Sequence, residues 1–232
     1  MRGEKFLKIL TYLSVIFLSY FILTSARAAA TPEFIVSWKA KTLVPAEYTG
    51  KIFPIKNSLV EVGFDLLDNN KIIDLSKYTV SWYLEGDFIK SGAGLKSFIF
   101  TTNKANENDQ LLRVTVAGYK GADLDKFITI PLASPEAVIN YKSPLTNEIN
   151  IGAHEFTALP YFFNASSLNN LSFNWKVNGE APQNTANKST ILNLNLESQG
   201  TPTQTPLNIS LSIQNILNAL ESATKSLNFM IK

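Results

Sequence analysis

The sequence predicts an all-β protein, two tandem β-sandwiches behind an N-terminal signal or anchor helix. Three observations lead there. Short runs of alternating apolar and polar residues, punctuated by Gly, Pro, Asn and Ser, recur along the chain. Two of these runs read almost alike: Thr79-Val80-Ser81-Trp82-Tyr83-Leu84-Glu85-Gly86-Asp87 and Ser172-Phe173-Asn174-Trp175-Lys176-Val177-Asn178-Gly179-Glu180. Each puts a Trp at an inward position and reaches a Gly four residues later. Finally, the first 30 residues have the makeup of an export leader.

In that leader Arg2, Lys5 and Lys8 form a positive n-region, and residues 9–23 carry no charge. Ser25-Ala26-Arg27-Ala28-Ala29-Ala30 then supplies small residues at signal-peptidase spacing, the pattern of a secretory signal peptide. The apolar core falls short of the ~20 residues that span a bilayer comfortably. An uncleaved anchor spanning residues 6–23 is the alternative. The formal charge of the whole chain is +2, but Arg2, Lys5, Lys8, Arg27 and Glu4 all precede Ala28. Cleavage there leaves 17 basic and 18 acidic residues, a net charge of −1. No basic stripe remains to suggest nucleic acid or anionic lipid as a partner. With no Cys, neither a disulfide framework nor a lipid-modified Cys is available, so core burial alone must stabilise the fold.

The first copy opens with a strand at 33–40. Pro45, Gly50 and Pro54 make 41–56 loop or edge structure. Val60, Val62, Phe64 and Leu66 alternate with Glu61, Gly63 and Asp65 in the next strand, 59–67, and Asp68-Asn69-Asn70-Lys71 turns. The Trp strand is 78–84, with Val80, Trp82 and Leu84 inward. Ser91-Gly92-Ala93-Gly94 breaks the chain before a strand at 95–101, and 103–109 is a polar turn. Leu112, Val114 and Val116 alternate with Arg113, Thr115 and Ala117. After a turn at 118–123, Phe127, Ile128 and Ile130 close the copy at Pro131.

Leu132-Ala133-Ser134-Pro135 is a short, stiff linker. The second copy opens at 137–142. Residues 149–163 hold one or two strands, with Pro160 at an edge or bend. Trp175 lies in 171–177, and 179–188 is a long turn with Pro182. Leu192, Leu194 and Leu196, then Leu207, Ile209, Leu211 and Ile213, then Leu227, Phe229 and Ile231 mark three further strands. Ile213, Ile216, Leu217 and Leu220 also fit a helical face, but we expect 215–222 to be a hairpin loop.

The spacing Trp-x-x-x-Gly, a Gly-containing turn and a Val-rich alternating strand resembles the immunoglobulin-like (Ig-like) and PKD-type repeats of bacterial surface proteins. Trp82, Gly86, Gly92, Gly94, Leu112, Val114 and Val116 carry the resemblance in the first copy. Trp175, Gly179, Leu207, Ile209 and Leu211 carry it in the second, which lacks the Ser-Gly-Ala-Gly segment and has a Pro-containing turn at 197–206. The resemblance implies Ig-like sandwiches in a secreted or surface-displayed, non-catalytic protein. It implies no substrate, because such folds host many functions.

The inventory of reactive side chains is thin. His154 is the only histidine, so triads and most zinc sites have no members, and it reads as a surface or edge residue. Asp65, Asp68, Asn69, Asn70 and Asp74 make an oxygen-rich turn that could attract calcium. Lys71 intrudes, and backbone geometry alone enriches turns in Asp and Asn. Asp123 and Asp125 read as a solvated hairpin beside Lys120 and Lys126. Glu85 and Asp87, with Glu180 at the matching place, could be weighed as a glycosidase pair, yet they sit at strand ends that enter turns. Asn164, Asn170, Asn187 and Asn208 fit the N-glycosylation pattern, relevant only in a eukaryote. Tyr161, Phe162 and Phe163 are consecutive, and an extended strand cannot bury all three. At least one faces out, where it could stack on a sugar or anchor a protein, or into the boundary between copies.

We therefore expect a signal peptide or anchor at 1–30 and Ig-like sandwiches at 31–132 and 133–232. We expect no catalytic, cofactor-binding or metal-binding residues, and a possible binding surface at Tyr161, Phe162 and Phe163. The expected role is a non-catalytic structural or binding protein, extracellular or at the cell surface. Its partner is another surface or secreted protein, with carbohydrate possible and membrane contact only through residues 9–23. The alternatives are a carbohydrate-binding accessory module and an assembly factor of a surface machine such as a pilus.

Overall fold

The computed structural model describes residues 31–103, 109–142, 147–182, 189–197 and 205–232. The expected leader lies outside these residues. The described elements are strands, apart from one 3-10 turn at Leu168–Asn170. Among the described residues no helix is long and apolar enough to cross a membrane.

Eight strands precede Pro131: β1 (Glu33–Ala40), β2 (Leu59–Asp68), β3 (Lys71–Ile72), β4 (Thr79–Leu84), β5 (Asp87–Ala93), β6 (Ser97–Thr101), β7 (Gln110–Tyr119) and β8 (Ala122–Ile130). One sheet joins β2 to β1, β3 and β6, and the other runs β5-β4-β7-β8. After the linker come β9 (Glu136–Tyr141), β10 (Glu148–Ile149), β11 (Gly152–Tyr161), β12 (Leu171–Val177), β13 (Ile191–Leu196), β14 (Thr205–Asn215) and β15 (Asn218–Ile231). Their sheets run β13-β11-β9 and β10-β15-β14-β12. Among the described residues, none of these four sheets mixes strands from the two sides of the linker. In each half the Trp strand, β4 or β12, pairs with the long strand β7 or β14, which pairs with the next, β8 or β15. This order, with a buried Trp on the third main strand, is that of an Ig-like sandwich. The short β10 pairs parallel with the last strand β15.

The described residues divide into two compact units, 31–35 with Leu66–Ile73, and Val36–Asp65 with Asp74–Lys232. In the first, the end of β2 turns back on β3, with Leu67 opposite Ile72 and Asp68 opposite Lys71. Asn69 and Asn70 take φ of 48° and 60°, the left-handed pair that a two-residue hairpin turn requires and that Asn tolerates.

The second unit holds both Trp-centred cores. Val80, Trp82, Leu112, Val114 and Val116 are fully buried, the inward set that their period of two dictates. The Trp82 ring lies 5.7 Å from Phe64 and 4.9 Å from Phe98, and its indole N–H donates to the Leu95 carbonyl at 2.9 Å. Gly94 shapes that segment: it has φ of 63°, and a Cβ there would come within 3.2 Å of the Ser76 backbone. Trp175 repeats the arrangement, donating to the Ser189 carbonyl at 3.1 Å within a core that includes Phe156, Phe173, Leu192 and Ile209. Each indole thus meets a backbone carbonyl 13 or 14 residues downstream, which satisfies its only polar atom.

The strands differ from expectation in three places. Ser91-Gly92-Ala93, expected to break the chain, instead belong to β5, Asp87–Ala93, which pairs with β4 through a bulge between Trp82 and Tyr83. Its residues are exposed except half-buried Gly92, so no burial period marked it in the sequence. β8 begins at Ala122, directly after a turn at Lys120 and Gly121, both with positive φ. The hairpin loop expected over 215–222 shrinks to Ile216 and Leu217 between β14 and β15.

Candidate functional site

The β14–β15 hairpin is built irregularly. Gln214 faces Ser222 and Asn215 faces Asn218, so residues 219–221 have no opposite numbers on β14. This bulge re-aims the side chains it contains. Leu220 is thrown out to 96% exposure, whereas the neighbouring Glu221 points in and is 5% exposed. At the turn itself Leu217 is 78% and Ile216 51% exposed. Turn positions ordinarily take Gly, Asn, Asp or Ser for backbone reasons, and this turn takes two large apolar residues.

Several hydrogen bonds hold it rigid. Leu217 N–H donates to Asn215 Oδ1 at 3.0 Å, Ile216 N–H to the Asn170 carbonyl at 3.0 Å, and Gln214 Nε2 to the Ala219 carbonyl at 2.9 Å. Beneath the turn, Glu221 Oε1 accepts from the Asn164 backbone N–H at 2.5 Å and from Asn215 Nδ2 at 3.2 Å. Asn164 in turn reaches the N-terminal half: its Nδ2 donates to the Lys56 carbonyl at 2.8 Å, and its Oδ1 accepts from Ser58 Oγ at 2.7 Å. Ser58 N–H donates to Thr102 Oγ1, which donates to the Ile55 carbonyl. A polar chain therefore runs from the turn into the other half, buried at Glu221, Ser58 and Thr102 and half-buried at Asn164, each member bonded to the next.

Beside the turn lies a groove of about 780 Å³, lined by residues 55–57 and 132–135 with Asn218, Leu220 and Glu221. The wall at 132–135 is pinned by the Ala133 N–H on the Pro54 carbonyl at 2.8 Å. Asn57, in the opposite wall with φ of 63°, keeps its buried Oδ1 without a hydrogen-bond partner among the described residues.

Tyr161, Phe162 and Phe163 lie where the halves meet. Phe162 and Phe163 are buried and Tyr161 is half-buried. Both phenylalanines turn inward because β11 ends at Tyr161 and Phe162 takes φ of 60°. Strict alternation holds only along an extended backbone. Phe163 pairs through its backbone with Leu43, and Phe162 packs edge-on against Tyr48 at 6.0 Å and Phe53 at 5.9 Å. Tyr161 meets Tyr48 at 5.5 Å. All three side chains are engaged within the chain, Tyr161 with part of its ring still open to solvent.

The other polar candidates make local contacts. His154 Nε2 lies 2.7 Å from the Asn150 carbonyl, and Nδ1 lies 2.9 Å from the Tyr141 hydroxyl. A carbonyl only accepts, so Nε2 carries a proton and donates to Asn150, which leaves Nδ1 for the Tyr141 hydroxyl. Glu85 accepts from the Leu111 N–H, Asp65 pairs with Lys96, and Asp123 accepts from the Gly118 N–H. The backbone N–H of Ser76, and then its hydroxyl, hold the Asp74 carboxyl below its ordinary 3.8. Among the described residues no three acidic, His or Cys side chains gather as a metal site would require. Of the glycosylation-pattern residues, half-buried Asn164 belongs to the polar chain, Asn170 accepts from Ser166 and Ser167, and Asn208 donates to Asn228. Asn187 lies outside the described residues. The turn and its groove are what sequence reasoning missed. Their signal was three large apolar residues inside a segment read as a loop.

No family model and no curated protein matches the chain. Among solved structures it is similar to three N-terminal domains of the outer capsid protein Hoc of bacteriophage RB49, with a TM-score of 0.44 and 11% identity over 86% of this chain. It is also similar to the insect immune protein hemolin, with a TM-score of 0.29 and 11% identity over 84% of this chain. A Bacteroides ovatus glucan-utilisation protein, SGBP-B in complex with a mixed-linkage heptasaccharide, matches with a TM-score of 0.27 and 14% identity over 88% of this chain. The chain spans 59% of the first of these chains and 47% of each of the other two.

Proposed function

We propose that this is an exported, non-catalytic binding protein of a bacterial cell surface, of the kind that Ig-like and PKD-type repeats compose. Its two sandwiches, divided at residues 132–133, hold a contact site ready for another protein. The observation that carries this reading is the β14–β15 turn, apolar where turn chemistry favours polar residues and braced by hydrogen bonds on both sides. A rigid apolar knob loses little conformational entropy when it is covered, which favours tight protein contact. The leader composition supports export, and the scarcity of paired reactive groups supports a passive role.

The test replaces Leu220 with a photo-crosslinking amino acid in cells that make the full chain, with Lys90 on β5 as the control position. We expect discrete protein adducts from position 220 and none from position 90, in a fraction accessible to protease added outside the cell. Equal labelling from both positions would reject the contact site, and protection from that protease would reject surface display.

A further inference from the structure

We propose that one end of the β10-β15-β14-β12 sheet carries a second site, for an uncharged, extended oligosaccharide of hexopyranose units. The site goes beyond the contact role of the turn and is tested separately from it.

A groove of about 690 Å³ there is lined by Asn147, Asn178, Asn208 and Asn228, with Pro206 and Met230. The asparagines come from neighbouring strands of one sheet. Asn208 faces Asn228 across β14 and β15. Asn178 carries the β12 ladder one residue further, its N–H donating to the Asn208 carbonyl at 2.8 Å. The Asn147 carbonyl, just before β10, accepts from the Met230 N–H at 2.7 Å. Across these strands, at about 4.8 Å per step, the row is roughly 14 Å long, the length of a short oligosaccharide. Asn is depleted from strands, because its amide competes for backbone hydrogen bonds. Strand pairing alone therefore does not explain such a row.

The amides are oriented before any ligand arrives. Asn208 N–H donates to Asn178 Oδ1 at 2.8 Å, and a backbone N–H only donates, so Asn178 Nδ2 is left as an open donor. Asn208 Nδ2 donates to Asn228 Oδ1 at 2.7 Å, which leaves Asn208 Oδ1 to accept and Asn228 Nδ2 to donate. Donor, acceptor and donor thus follow one another at strand spacing. A hydroxyl serves either kind of neighbour, and a pyranose ring with equatorial hydroxyls on alternate carbons presents them at about that spacing. Pro206 and Met230, opposite each other in register, offer apolar cover for the C–H face of a ring. At the centre β14 lies between β15 and β12, and β10 pairs with the end of β15. The groove centre therefore offers side chains rather than an open strand edge that a peptide could join. None of the eight lining side chains ionises, so a charged ligand would lie there without a counter-charge. Amides already held in place lose little entropy when a ligand binds.

The full chain, solubilised in mild detergent, is titrated with cellohexaose and separately with chitohexaose while the Asn side-chain amides are followed by NMR. We expect saturable shifts at Asn178, Asn208 and Asn228 with at least one hexaose, the tighter one telling plain from N-acetylated rings, and none with hexagalacturonate. N228D keeps an acceptor for Asn208 and loses the open donor. It should bind the hexaose at least fivefold more weakly with an unchanged melting temperature. N147A, at an exposed position, should weaken binding at least twofold and serves if N228D folds poorly. No saturable shift with either hexaose overturns the inference, as does unchanged binding by both variants or equally tight binding of hexagalacturonate. A photo-crosslinking residue at position 228 that yields protein adducts in cells overturns it too, making the groove a protein contact. Adducts from position 220 judge the turn independently, so either reading can fail while the other stands.

Discussion

Asp74 and Glu221 are both carboxylates, and their surroundings set them apart. Asp74 is exposed and accepts from the N–H and hydroxyl of Ser76, two bonds made to its charged form. Its folded carboxyl titrates below 3.8, so its contribution to stability is present above the unfolded value and fades as pH falls through the folded one. In S76A the backbone donor remains and the hydroxyl is gone. The Asp74 carboxyl resonance, followed by NMR from pH 6 to 2, should then titrate at higher pH than in wild type but still below its ordinary value. An unchanged midpoint would assign the shift to the backbone alone. Glu221 is buried with two donors, and removing a charged acceptor from such a place costs about 1.5–3 kcal/mol. E221A should lose that much in urea unfolding. E221Q keeps one carbonyl oxygen for Asn164 and should lose less than half of it.

At the scale of elements, legibility followed burial. β2, β7 and β14 alternate cleanly because one face of each lies in a core, and their inward residues are those the sequence marked. Trp82 and Trp175 were legible for the same reason, as the large inward side chain of β4 and β12. β5 was not legible, since an exposed strand, paired to β4 with only Phe88 against Tyr83 as a ring contact, imposes no apolar period. Nor was the bulge at 219–221, because one register shift reassigns which of Leu220 and Glu221 faces in, and sequence alone does not fix register. The same logic orders local stability. Few buried contacts anchor β5, whereas β7 lies between β4 and β8 with Leu112, Val114 and Val116 fully buried. Amide exchange should therefore open β5 at a free energy well below that of β7, whose central amides exchange only through global unfolding. Equal protection in the two strands would mean that β5 is covered in solution by something outside this chain.

Across the whole molecule the question is whether the two Trp-centred cores unfold together. Their sheets are separate, and each core could in principle fold alone. Between them run the Leu43–Phe163 backbone pair, the aromatic contacts of Phe162 with Tyr48 and Phe53, and the chain Thr102–Ser58–Asn164–Glu221. Phe162 is buried against Tyr48 and Phe53, and separating the halves would expose it along with buried hydrogen-bonding groups, a cost of several kcal/mol. That coupling is comparable to the stability of a small domain, about 5–15 kcal/mol, so the two cores should melt as one. Calorimetry of the full chain is expected to give a single transition whose calorimetric and van't Hoff enthalpies agree. Asn164 is the residue to remove: it bonds both halves through its side chain, and N164A leaves the two Trp cores untouched. The variant should split the transition in two, or drive the enthalpy ratio well above one, with a stability loss of about 1–3 kcal/mol in the less stable half. A wild-type chain that already melts in two steps would reduce the junction to contact without coupling. The groove beside the turn would then have one wall free to move relative to the other, and the preorganisation on which the turn's binding role depends would be lost.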